Sequence, residues 1–213
     1  MKNRIALLTA LLLTFYSLKA QTVPTNESLN TYEIEVGAHK FGKLILIERN
    51  KNEYSGYISY VFFEGKPASA KGFFGRLFKS SDKKRVLDSV SINNKLPDSL
   101  AKSLILTLQN AGIEKLIPCT EDKDCAKINF LDPNFTVFNL NIEGRVKQLE
   151  YASIGYPSAQ FPEKTQLRRR VQDLVSICVT KIDYSTEFKT AREKLKKGSY
   201  FMHTDQGHLT FKR

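Results

Sequence analysis

Period-two alternation dominates the chain after its first thirty residues. Tyr32, Ile34 and Val36 alternate with Glu33 and Glu35, Leu44 opens a short apolar run ending at Ile47, and residues 54–63 (YSGYISYVFF) are aromatic and β-branched. Successive side chains of a strand point to opposite faces, so this alternation describes half-buried strands. Short connections at residues 37–42 and at RNKNE predict that the three form an antiparallel meander. A fourth strand is expected over 86–92, where Val86, Val90 and Ile92 alternate, and a strand-like AKINFL at 126–131. FTVFNLNIEGRVKQLEY predicts a hairpin turning at Glu143 and Gly144, and residues 200–203 and 208–212, joined by TDQG, predict another.

Helical spacing appears three times. In LPDSLAKSLILTLQNAG, Leu100, Leu104, Leu108 and Ala111 share a face, Pro97 suits the first helical position, Asp98 the first turn and Gly112 the exit. Leu167, Val171, Leu174, Cys178 and Ile182 step by four, three, four and four residues, so their stripe is expected to face a sheet. A shorter helix is expected over 185–197, with Phe188, Ala191 and Leu195 on one side, Lys194, Lys196 and Lys197 in its last turn, and Gly198 ending it. Runs of strands with a few helices, without strict alternation, predict an α+β domain: a mainly antiparallel sheet with two to three helices packed on one face. Its expected span is 31–213, after a flexible lead-in at 21–30.

The first twenty residues change the picture. Lys2 and Arg4 precede a twelve-residue apolar run, 5–16, which is short of the roughly 20 residues a spanning helix needs, and Ala20 suits a signal-peptidase site. The expectation is a cleavable signal and a secreted or periplasmic protein without a transmembrane segment in its mature form. The leader carries three cations and no carboxylate, so removing it lowers the net charge from +11 to +8. That excess favours anionic partners, an acidic protein or an envelope surface, although charge informs on association and not on chemistry.

Cys119 and Cys125 enclose a small polar loop, IPCTEDKDC. In an oxidising compartment this spacing favours a disulfide worth about 2 kcal/mol, with free thiols or a metal pair as the alternatives. Cys178, on a helical stripe, reads as inert packing. Glu121, Asp122 and Asp124 lack the spacing of a calcium loop.

No nucleophile elbow, HExxH or phosphate loop is present, and no cofactor is implied. His203, Asp205 and His208 are the one cluster resembling a metal or acid–base site, and they fall at a turn where Asp and Gly are expected for backbone reasons. Arg168, Arg169 and Arg170 are expected on the exposed side of their helix. Together with Lys83, Lys84 and Arg85 they are the candidate basic-surface binding residues. Residues 73–85, with Phe73, Phe74 and Phe78 among cations, either close one edge of the core or dock on an anionic membrane surface or an acidic partner. Export and the lack of a recognition signature disfavour specific nucleic-acid binding. The expectation is a non-catalytic binding or interaction module. The alternatives are a small hydrolase or metal-dependent enzyme centred on His203, Asp205 and His208, and a peripheral envelope protein docking through 73–85.

Overall fold

The computed structural model describes residues 28–36, 42–65, 88–131, 133–155, 162–204 and 207–213, with backbone alone at 204, 207 and 208. The expected leader, residues 21–27 of the lead-in and the 73–85 segment with Lys83, Lys84 and Arg85 lie outside the described residues.

Strands β1 (Leu29–Glu35), β2 (Lys43–Arg49) and β3 (Glu53–Glu64) form the expected meander, with β1 beginning two residues earlier than its pattern suggests. β4 (Ser89–Lys95) pairs with β3, while β5 (Phe135–Ile142) and β6 (Arg145–Ala152) form a hairpin whose β5 pairs with β1. Glu143 at φ +52° and Gly144 at φ +79° make its two-residue turn, where both central residues need a left-handed backbone. β7 (Ser199–Thr204) and β8 (Gly207–Lys212) form the terminal hairpin, and β7 joins β3 at Phe63 and Glu64. All pairings are antiparallel, and the order runs β6-β5-β1-β2-β3. Tyr57, Ile58 and Ser59 pair with both β2 and β4, so these two strands occupy opposite edges of β3.

Three helices complete the described residues: α1 (Asp98–Asn110), α2 (Gln166–Lys181) and α3 (Tyr184–Glu193). α1 packs on β2, β3 and α2, and α3 packs on β3 and β4. The core they enclose holds Tyr32, Ile34, Leu44, Leu46, Ile58, Tyr60, Phe62, Phe138 and Leu140 from the sheet. Leu104, Leu108, Leu167, Val171, Leu174 and Cys178 join from the helices. The fold is α+β, as the runs of strands predict.

Four local readings change. Pro97 is the residue before α1 and not its first turn, because its ψ of 136° is extended. β4 is displaced toward the C-terminus and takes in Asn93 and Asn94. The Asn94 amide donates to the Glu187 carbonyl at 2.7 Å and its carboxylate at 2.8 Å, tying β4 to α3. Residues 126–131 form no strand: Ala126 N–H donates to the Asp122 carbonyl and Ile128 N–H to that of Cys125, so turn bonds consume the backbone. α3 stops at Glu193, four residues early. The Lys194 ammonium donates to Asn94 Oδ1 at 2.6 Å, and Arg213 donates to the carbonyls of Glu193 and Leu195. The cation capping that helix end is therefore Arg213, from β8's far end.

The disulfide is present, with Cys119 and Cys125 Cα atoms 5.2 Å apart and a short 3-10 turn at Cys119–Glu121. Within the loop Asp122 Oδ1 accepts the N–H groups of Asp124 and Cys125, so this carboxylate serves the turn.

Burial fixes a pH response. Desolvation raises the pKa of Tyr32, Tyr60, Tyr151 and Tyr184 well above the usual phenol range, and pushes the Cys178 thiol from 9.0 up to about 12. The unfolded chain loses these protons at lower pH than the folded one. Stability is therefore complete below about pH 9 and declines as the pH rises from there. Urea unfolding of the mature protein should show a lower midpoint at about pH 10.5 than at about pH 8. Equal midpoints would show that these groups are not shielded.

Candidate binding face and cleft

Helices cover one face of the sheet. The other carries Thr31, Glu33 and Glu35 of β1, Lys43, Ile45, Ile47 and Arg49 of β2, Tyr57, Ser59, Val61 and Phe63 of β3, and Ser89, Ser91, Asn93 and Lys95 of β4, as the cross-strand register dictates. An antiparallel sheet with one solvated face ordinarily alternates apolar inside and polar outside. Here the outer positions include an apolar group: Ile45 stands opposite Tyr57, with Ile47, Val61 and Phe63 beside them, and Val61 is 46% exposed. Lys43, Arg49 and Lys95 are matched by Glu33, Glu35 and Glu53, with Lys43 3.5 Å from Glu33. Among the described residues, the excess positive charge is therefore not concentrated on this face.

The stripe ends in a break of the sheet. β2 stops pairing with β3 at Ser59, and β7 starts at Phe63 on the same edge, opposite the Ser89 pairing. Backbone groups alternate between the two edges of a strand. Leu96 N–H donates to the Gly56 carbonyl and Glu64 N–H to Asp88, placing the even positions toward β4. Gly65 N–H donates to Ser199, placing the odd positions toward β7. The N–H and C=O of Val61 consequently face the break. A cleft of about 430 Å³ opens there, with Glu33, Glu35, Lys43, Tyr60, Met202 and His203 among its lining residues. Gly42 also lines it: at φ +62°, a Cβ would lie 2.8 Å from Tyr60 Cε1 and 2.9 Å from the Ser59 carbonyl, so no side chain fits.

The expected site residues separate. His203 is at the cleft, its ring edge-on to Phe63 and Phe201 at 4.8 and 5.5 Å between centroids. The backbone of His208 pairs with that of His203, while Asp205 lies outside the described residues. Among the described side chains, no group of three His, Cys, Asp or Glu is placed to hold a metal ion. Cys178 is wholly buried, as its place on the stripe predicts.

The arginine triplet divides. Arg169 and Arg170 are exposed, but Arg168, expected outside, is 2% exposed. Its Nε and Nη2 donate to the two carboxylate oxygens of Glu163 at 2.8 and 3.0 Å, and Nη1 and Nη2 donate to the carbonyls of Ala152 and Ser153. The Phe130 ring lies 4.9 Å from the guanidinium carbon. Glu163 also accepts from Gly155 N–H, and Gln172 bonds the backbone of both Glu163 and Gly155. Arg168 thus clamps the end of β6 to α2, and its donors are spent on the protein itself. Sequence alone gives no sign of this, because three adjacent arginines look equally solvated.

A second buried polar cluster, also unforeseen, joins the end of α1 to β1 and β2. Glu48, 5% exposed, accepts from the Asn30 and Gln109 amides at 3.0 and 3.1 Å. Tyr32 donates to Glu114 at 2.6 Å and accepts from Gln109 at 2.8 Å. Its hydrogen bonds point inward and serve packing.

No protein-family model, curated protein or solved structure matches this chain.

Replacing Arg168 should leave Glu163 without its partner. Arg168→Met is expected to cost about 3–5 kcal/mol in urea unfolding, and Arg168→Lys to recover only part, since an ammonium cannot form the planar fork. Arg169→Ala and Arg170→Ala should stay within about 0.5 kcal/mol of the parent.

Proposed function

We propose that the protein is an exported, non-catalytic binding module that takes an extended polypeptide segment along the outer face of β2 and β3. The observation carrying this reading is the apolar stripe of Ile45, Tyr57, Val61 and Phe63 leading into a cleft toward which a main-chain N–H and C=O are directed. Peptides that lie beside a strand use main-chain hydrogen bonds for affinity and alternate side chains for selection. The break between β2 and β7 has the first, and the stripe beside it has the second.

Charge refines the class of partner. Carboxylates and cations balance on this face, so an apolar polypeptide fits it better than a polyanion or a lipid headgroup surface. Export is supported by the leader pattern and by the Cys119–Cys125 disulfide, which persists in oxidising compartments. No helix among the described residues is long and apolar enough to cross a membrane.

The test uses a photo-crosslinking residue at Tyr57 or Val61 of the mature chain, with Leu106 on the exposed side of α1 as the control. A discrete protein partner from the native envelope fraction should crosslink from positions 57 and 61 and not from 106. Ile45→Asp should weaken its capture by about tenfold or more, the equivalent of one lost apolar contact. Equal yields at all three positions, or capture unaffected by Ile45→Asp, would remove the reading.

A further inference from the structure

The cleft beside Val61 is opposite in charge to the chain that carries it. Without its leader the protein has a net charge of +8, whereas the lining of the cleft holds two carboxylates, Glu33 and Glu35, against one ammonium, Lys43, with His203 alongside. Cross-strand register sets Lys43 opposite Glu35. Its Nζ instead lies 3.5 Å from Glu33 Oε2, so the one ammonium is taken by the neighbouring carboxylate. Among the described residues no cation pairs with Glu35, which is exposed at the cleft. By itself that describes a solvated surface carboxylate.

A second observation comes from below the rim. Tyr60, 1% exposed, belongs to the same lining, and its hydroxyl is buried without a hydrogen-bond partner among the described residues. Buried hydroxyls in folded proteins are ordinarily paired. Burial, with the Glu187 carboxylate nearby, holds this phenol protonated well above the usual range, so it presents lone pairs to a donor without carrying charge. The N–H and C=O of Val61 suit the main chain of an entering segment, and Val61, Phe63 and Met202 supply apolar wall. What this lining lacks is a charged donor at the end of a hydrocarbon stem. Lys and Arg have that form, burying their methylenes along apolar surface while the head finds polar partners.

We infer that the segment bound at this face carries a Lys or Arg whose side chain enters the cleft, its stem against Val61, Phe63 and Met202 and its cationic head between Glu35 and the Tyr60 hydroxyl. The inference rests on the peptide-binding reading and narrows it to a polypeptide in which one cation stands among apolar residues. Selection works in both directions. An acidic side chain would meet Glu33 and Glu35, and a purely apolar one would leave Glu35 and the Tyr60 hydroxyl without a donor.

The probe is a displayed library of random nine-residue peptides, panned on the mature chain with a photo-crosslinking residue at Val61 to report occupancy of the face. Peptides that crosslink there should share one position enriched in Lys and Arg between apolar positions, and Glu35→Lys should turn that preference to Asp and Glu. The unaltered protein carries its own test: replacing the enriched cation by norleucine in a synthetic peptide should weaken binding by about tenfold or more. Glu35→Gln should bring the two peptides within about threefold of each other, and Tyr60→Phe should narrow the gap as well, as a double-mutant cycle requires of groups in contact. Crosslinking peptides without a cationic position, or a gap that survives either variant, would overturn the cation assignment and leave the peptide-binding reading standing. No enrichment, or enriched peptides that do not crosslink at Val61, would overturn both.

Discussion

Strict two-residue periodicity on the central strands is the constraint from which the rest of the structure follows. Tyr32 and Ile34, Leu44 and Leu46, Ile58, Tyr60 and Phe62, and Phe138 and Leu140 all fall on the helix side. A slip of one residue in any of these pairings would carry a whole apolar set to the outer face and bring Glu33 or Lys43 into the core. Burial of large side chains on one face, at roughly 1.5–3 kcal/mol each, outweighs any alternative register. The same selection decides which residues remain outside, so the composition of the outer face is a consequence of how the inner one packs.

Apolar burial does not by itself fix how the helices attach, and the buried polar groups supply that information. Glu48 draws Asn30 and Gln109 together, anchoring the end of α1 over β1 and β2. Arg168 spends its donors on Glu163 and on two carbonyls at the end of β6, which sets the entry of α2. Asn94 ties α3 to β4 through Glu187 and Lys194, and Arg213 holds the last carbonyls of the same helix. Each is a directional contact that an apolar surface cannot provide. Losing one partner leaves a buried polar group unpaired, at a cost of about 1–3 kcal/mol for a neutral group and more for a charge.

The elements legible in the sequence were those determined by local pattern. Alternation gave the meander, Glu143-Gly144 gave the hairpin turn, and the spacing from Leu167 to Ile182 gave the second helix. The short loop between Cys119 and Cys125 gave the disulfide. What escaped was set by contacts distant along the chain. AKINFL has strand composition, yet turn bonds from the disulfide loop take its first residues and the Arg168 guanidinium faces Phe130. The third helix has helical residues to Lys197, but Asn94 and Arg213, 119 residues apart, close it sooner. The binding cleft was invisible for the same reason: period two states which face a residue takes, and is silent on which strands share an edge.

The candidate binding cleft occurs where the sheet departs from its own rule. On a continuous sheet the N–H and C=O of Val61 would be consumed by a neighbouring strand, and Ile45 and Tyr57 would flank an uninterrupted polar surface. β2 begins at Lys43, directly after Gly42, opposite Ser59, and β7 joins only at Phe63, so β3 gains a second partner on that edge after a gap, and helix-side and outer-side residues meet in a single cleft. Gly42, at a positive φ, lies against the Tyr60 ring where a side chain would collide. A strand that continued past Lys43 would close the gap and bury Val61. The break therefore depends on one residue without a side chain, and the surface it creates is the part of this fold that packing alone does not explain.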